Sequence, residues 1–202
     1  MSQSIKTKLF FDLIPKNEIE KFAKDMEERK YQSWVDKYPQ NLLGIFGAFI
    51  YFAGYGVEAG DITFFKNKGI NLNIASNAYP SNSGNTTPLC SACEFRNMNL
   101  IRGLVASGAN INDEDPNGFT PIEFLLIGHR IEDIQDASEC ETFIKTLLDL
   151  GAQKSVRKDV VDNSCKEYNK KSVYMAKFLS EVQTRTPTCN GINNAINRAL
   201  NK

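Results

Sequence analysis

An all-α fold, a solenoid of stacked helix-turn-helix units with finger loops between them and helical caps at both ends, is what this 202-residue sequence predicts. Three observations carry it. Thr87-Pro88-Leu89 returns 33 residues later as Thr120-Pro121-Ile122. Gly108-Ala109-Asn110-Ile111-Asn112 has an upstream echo, Gly69-Ile70-Asn71-Leu72-Asn73, and a looser downstream one, Gly151-Ala152-Gln153. Between these landmarks the apolar residues fall at helical spacing, and a fixed period of this length marks a repeat architecture.

Residues 1–43 read as an N-terminal helical cap. PKNEIEKFAKDMEERK, from Pro15, sets Ile19, Phe22 and Met26 on one face and offers the i, i+4 pairs Glu20–Lys24 and Asp25–Arg29, with Trp34 and Tyr38 as anchors to the first repeat. Residues 44–86 form the first repeat, GAFIYFAGYG giving its first helix and GDITFFKNKG its second. Its connection, SNAYPSNSGNT, is a long Asn/Ser/Gly/Pro-rich finger, because Gly69 to Gly108 spans 39 residues rather than 33.

Residues 87–119 are the clearest unit. Thr87 is placed to cap a backbone N–H, and Pro88 gives up no hydrogen bond at the first helical position. Leu89, Ala92 and Cys93 then form an apolar stripe, Met98, Ile101, Leu104 and Val105 a second, and Gly108 stops the second helix. Residues 120–156 repeat the plan with about ten residues inserted around IEDIQDAS. Residues 157–202 read as a C-terminal helical cap or a degenerate fourth repeat. SVYMAKFLSEV leads there to a helix capped by Asn190, with Ile192, Ala195, Ile196, Ala199 and Leu200 on one face.

The stretch TPLCSACEFRNMNLIRGLVASGANINDEDPNGF, residues 87–119, closely resembles an ankyrin repeat, and the resemblance extends over about residues 44–155. Two departures stand out. Cys90 replaces the family's His, and Arg96 replaces the glycine that leaves the first helix, so that turn is expected to be distorted or closed differently.

Composition removes several function classes. Lys plus Arg and Asp plus Glu both number 24, so no net field draws the chain to nucleic acid or an anionic membrane. The apolar run from Leu42 is about a dozen residues, short of the roughly 20 that span a bilayer, and predicts a core helix rather than membrane insertion. Five scattered cysteines and a start unlike a secretory signal predict reduced thiols and a cytoplasmic location.

Cys90-x-x-Cys93 admits a zinc or redox reading, and His129, the single histidine, is the partner any cysteine-dependent enzyme needs. Against these stand the Thr-Pro helix start and the absence of paired ligands among Cys140, Cys165 and Cys189. The acids Glu132, Asp133, Asp136 and Asp149 read as a solvated insertion, and the basic residues from Arg157 to Lys171 are interrupted by acids. The expectation is no enzyme, no cofactor and no metal.

The resemblance implies a monomeric, non-enzymatic module binding a partner protein through a concave groove of fingers and first helices. It assigns partner binding to Thr86, Glu94 and Phe95 in the second repeat and to Asn117, Phe119 and Ile127 in the third, with Arg96 as a polar contact. Tyr79 joins them as an aromatic on an exposed loop tip. The Asn, Lys and Ile content and small size are similar to ankyrin-repeat effectors of intracellular bacteria, which implies the host cytosol if the chain is translocated.

Overall fold

A computed structural model describes residues 14–52, 57–81, 84–127, 134–168 and 172–186, and is mostly helical. In chain order the elements are α1 (Ile19–Glu27), α2 (Tyr31–Lys37), α3 (Leu42–Phe52), α4 (Ala59–Asn67), α5 (Pro88–Glu94), α6 (Met98–Ala106), α7 (Pro121–Ile127), α8 (Ile134–Asp149), β1 (Ser155–Arg157), α9 (Lys158–Tyr168), α10 (Val173–Glu181) and β2 (Gln183–Arg185). They fall into two compact units: Met1–Ala92 with Asn97–Ala109, and Cys93–Arg96 with Asn110–Lys202.

In the first unit α1 and α2 pack on α3, and α4 packs on α6. Phe22 and Met26 are fully buried, and Trp34 meets Phe22 edge-on at 4.9 Å while its Nε1–H donates to Asp25 at 2.8 Å. These helices are locked by residues the helical pattern does not single out. Tyr31 lies against Phe49, Phe64 and Phe65, with ring centroids 4.8–5.2 Å away. Its hydroxyl donates to buried Asp61 at 2.6 Å. Arg29, at φ +62°, turns the chain out of α1 and donates to the same carboxylate at 2.9 Å and to Glu58 at 2.6 Å. Asp61 also accepts from the Glu58 backbone N–H, completing a reciprocal capping box at the start of α4. The expected Asp25–Arg29 pair is therefore absent, since both side chains have better-placed partners, and Lys24 pairs with Glu28 instead.

Residues 76–81 of the long connection do not project. Gly47 on α3 lacks a Cβ where one would stand 2.1 Å from the Ala78 carbonyl oxygen, so the loop backbone lies directly on the helix. Tyr79 follows it down, 1% exposed and edge-on to Phe46 at 5.8 Å. Ser91 Oγ on α5 donates to the Pro80 carbonyl at 2.5 Å, and Ser76 bridges to Thr86 across the loop's base.

Helices α4, α6 and α8 end in the same way. Gly69, Gly108 and Gly151 adopt φ of +107°, +100° and +100°. The amide after each glycine donates back to Phe65, Leu104 or Leu147 at 3.1, 2.9 and 2.9 Å, the six-to-one bond of a Schellman motif. The connections repeat as well. Asn71 and Asn110 fold their side chains onto the backbones of Asn73 and Asn112, whose amides reach the carbonyls of Gly108 (3.5 Å) and Gly151 (3.2 Å).

In the second unit α7 packs on α8 and α9, and α8 and α9 both pack on α10. Two features differ from expectation. Ile134–Asp149 is one helix, so the C-terminal part of the insertion lengthens α8 rather than looping out. A parallel pair, β1 with β2, registers Val156 with Thr184, and no strand is expected in residues 157–202. The helix read over SVYMAKFLSEV is α10, capped by Ser172 Oγ accepting from the Met175 N–H at 3.0 Å. The amphipathic stripe from Ile192 to Leu200 lies outside the described residues.

Candidate protein-interaction surface

Helix α5 begins as its composition dictates: Thr87 Oγ1 accepts from the Cys90 N–H at 3.2 Å, and Leu89, Cys90, Ala92 and Cys93 are at most 1% exposed. Burial pushes the Cys93 thiol well above the ordinary thiol range. Both members of the Cys-x-x-Cys are thus packing residues of a helix. Cys140 is buried too, Cys165 is half-buried, and His129 and Cys189 lie outside the described residues. Among the described residues no group of three or more His, Cys, Asp or Glu side chains is placed to hold a metal ion, and no helix is long and apolar enough to cross a membrane.

The expected binding residues divide sharply by exposure. Phe95, just after α5, is 44% exposed, and Ile127, at the end of α7, is 40% exposed. Tyr79 requires correction, because the contact allowed by Gly47 buries the ring that its polar loop suggested would be outside. Thr86, Glu94 and Asn117 are likewise buried, and their side chains offer no surface. Phe119 is half-buried, edge-on to Phe124 at 5.9 Å and covered by the Arg157 guanidinium 4.0 Å from its ring centroid.

Buried Asp115 holds Asn117 inward, accepting from its Nδ2 at 2.6 Å and from the backbone N–H groups of Asn117 and Phe119 at 2.8 and 2.9 Å. Buried Glu123 gathers the residues around that turn. Its carboxylate accepts from the Thr120 N–H at 2.8 Å, capping α7 in place of the Thr120 hydroxyl, and from the Arg157 N–H at 2.5 Å. Arg185 on β2 donates to Glu123, to Glu114 and to the Gly118 carbonyl at 2.5, 2.6 and 2.9 Å. Arg157 donates to the Asn117 carbonyl and grips Asp159 through Nε and Nη2 at 3.0 and 2.7 Å. Burial alone would raise the Asp159 pKa, but the Arg157 hydrogen bonds outweigh it and hold the carboxyl below its usual range. This cluster binds the finger of residues 110–120 to the parallel strands.

Arg96 adopts the left-handed conformation at φ +52°. The turn out of α5 closes through this residue, with the Arg96 N–H donating to Cys93 O at 3.1 Å and the Asn97 N–H to Ala92 O at 3.0 Å. Its Nε and Nη2 are buried without an acceptor.

Sequence reasoning missed Tyr51, 53% exposed at the end of α3. Its one signal is a hydroxyl-bearing ring in an otherwise apolar run, which the core-helix reading absorbed. No protein-family profile matches this sequence, and no curated protein is significantly similar to it.

Proposed function

We propose that this chain is a non-enzymatic protein-interaction module of ankyrin type, which engages a partner protein through the exposed ends of its first helices. The observation that carries the reading is the recurrence of one helix ending and one connection. Three second helices close on a left-handed glycine with the same backward hydrogen bond, and twice the connection's asparagine reaches the carbonyl of the following such glycine. Within the first unit second helix α4 packs on second helix α6. Within the second, first helix α7 packs on α9 and second helix α8 on α10, the pattern of repeats that hide their apolar sides on one another.

Within the second unit large apolar side chains stand exposed where first helices end, Phe95 and Ile127, and within the first unit Tyr51 does the same. Exposed aromatic and aliphatic anchors of this kind dominate protein interfaces. The test is affinity capture with the full chain and with Phe95→Glu and Ile127→Glu. The expected result is a partner retained by the wild type and lost by the variants, with thermal midpoints unchanged. Equal retention by all three would refute the surface, and turnover of a substrate dependent on His129 or a cysteine would favour an enzyme instead.

A further inference from the structure

We infer that Arg96 is a receptor for a carboxylate, supplied by an acidic residue of the protein partner. The inference rests on the interaction-module reading and names the chemistry its partner must present.

Arginines in this chain that are partly withdrawn from water hold carboxylates. Arg29 holds Asp61 and Glu58, Arg157 holds Asp159, and Arg185 holds Glu114 and Glu123. Arg96 is the exception among the described residues. It is half-buried, and its Nε and Nη2 are shielded from solvent with nothing accepting from them. Those two donors form the side-on fork of the guanidinium, the same pair with which Arg157 grips Asp159. A planar, two-oxygen anion is what that fork matches.

The backbone supplies an independent observation. Arg96 is held at φ +52°, a conformation costly for any side chain with a Cβ, and glycine would close the same turn without that cost. A strained arginine with an empty fork is the pattern of a residue kept for what it binds. Because the residue is only half-buried, rotation about its terminal side-chain torsions turns the fork to the surface, where an acceptor replaces the missing hydrogen bonds. Phe95 beside it, 44% exposed, gives the acidic residue's neighbours an apolar wall. One guanidinium carries one positive charge, which a monoanion neutralises and a dianion exceeds. The match is therefore a carboxylate rather than a phosphate dianion.

The test uses the full 15N-labelled chain and arginine Nε–Hε resonances, titrated with sodium acetate against sodium chloride at equal ionic strength. The expected result is a saturable shift of the Arg96 resonance, while those of Arg29 and Arg157, already paired, stay in place. A shift no larger than that of exposed Arg102, or a larger response to inorganic phosphate than to acetate, overturns the assignment. N-acetyl-glutamate α-amide and N-acetyl-alanine separate a side-chain carboxylate from a chain terminus, and the stronger response is expected from the first. For a partner captured by the wild type, Arg96→Lys, which keeps the charge and loses the fork, should weaken binding by at least about tenfold with an unchanged melting point. Undiminished binding by Arg96→Lys and Arg96→Gln refutes the receptor and leaves the module intact. If the wild type captures no protein the module reading fails, and the acetate response still decides whether Arg96 is an anion receptor.

Discussion

Replacing Gly47 by alanine tests the seating of the loop on α3 directly. The new methyl carbon would stand 2.1 Å from the Ala78 carbonyl oxygen and 2.8 Å from its carbon, against backbone that cannot rotate away. Relief requires the loop to move by about 1 Å, and forced overpacking of this kind costs about 1–3 kcal/mol. An upper limit comes from releasing the loop altogether. Freeing the buried Tyr79 ring exposes about 150–250 Å², worth about 4–6 kcal/mol at ~25 cal/mol per Å². Alanine's better helix propensity returns about 1 kcal/mol. Less that return, overpacking alone leaves a loss of about 0–2 kcal/mol and full release of the loop about 3–5; the expected loss lies between these, about 2–3 kcal/mol, roughly 4–12 °C in melting temperature for a chain of this length. Urea unfolding gives the free energy, and amide hydrogen exchange over residues 76–81 gives its location, with faster exchange expected there. Tyr79→Ala combined with Gly47→Ala should cost less than the sum of the two, because a displaced loop has already surrendered the ring. A Gly47→Ala protein within about 0.5 kcal/mol of wild type, with exchange unchanged, would show that the loop does not rest on that helix.

Other consequences are equally specific. Arg29→Ala and Asp61→Ala should each destabilise by about 2–4 kcal/mol, at the lower end for Arg29 because a third of its side chain is in water. A double-mutant cycle in urea should return a coupling above about 1 kcal/mol, and strict additivity would break the proposed lock. Arg96→Gly should raise stability by about 1 kcal/mol, by removing both left-handed strain and two donors without acceptors, despite the entropy glycine adds to the unfolded chain. A destabilised variant would mean the side chain contributes packing that outweighs both. Stability should also fall at alkaline pH. Burial raises the folded pKa of Cys93 and Tyr79, so the folded chain binds more protons than the unfolded one once pH passes the unfolded values, about 8.5 and 10. Full stability is present below about pH 8.5, and each group then removes up to about 1.4 kcal/mol per pH unit. Cys93→Ala should flatten the profile between about pH 8.5 and 10, as read by urea melts, and a wild-type profile already flat there would contradict the buried thiol.

What could be read in advance was local. Thr87 and Pro88 determine a helix start within four residues, and the left-handed glycines determine helix ends by steric freedom alone, so α5, α6 and the close of α4 and α8 needed no tertiary information. The failures were decided by distant partners. Tyr79 sits among Pro, Asn and Ser, and only the missing Cβ of Gly47, 32 residues earlier, makes a place for its ring. The helical pattern offers Arg29 only as the i, i+4 partner of Asp25 and does not single out Tyr31, whereas Asp61, some thirty residues away in sequence, recruits both. The strands β1 and β2 are three residues each and exist because Glu123 anchors the N–H of Arg157 and the side chain of Arg185, an arrangement without periodicity of its own. Phe95 and Ile127, both read as binding residues, stand exposed at the ends of α5 and α7.

The paired asparagines make this chain tolerant of growth. Each connection presents its amide to a glycine carbonyl that the next connection offers again in identical form. A duplicated or deleted block, cut from one glycine to the following one, would meet the bonding partner it left behind. Lengthening the molecule by whole blocks is then chemically cheap, while losing or gaining a single residue inside a connection throws every later partner out of step.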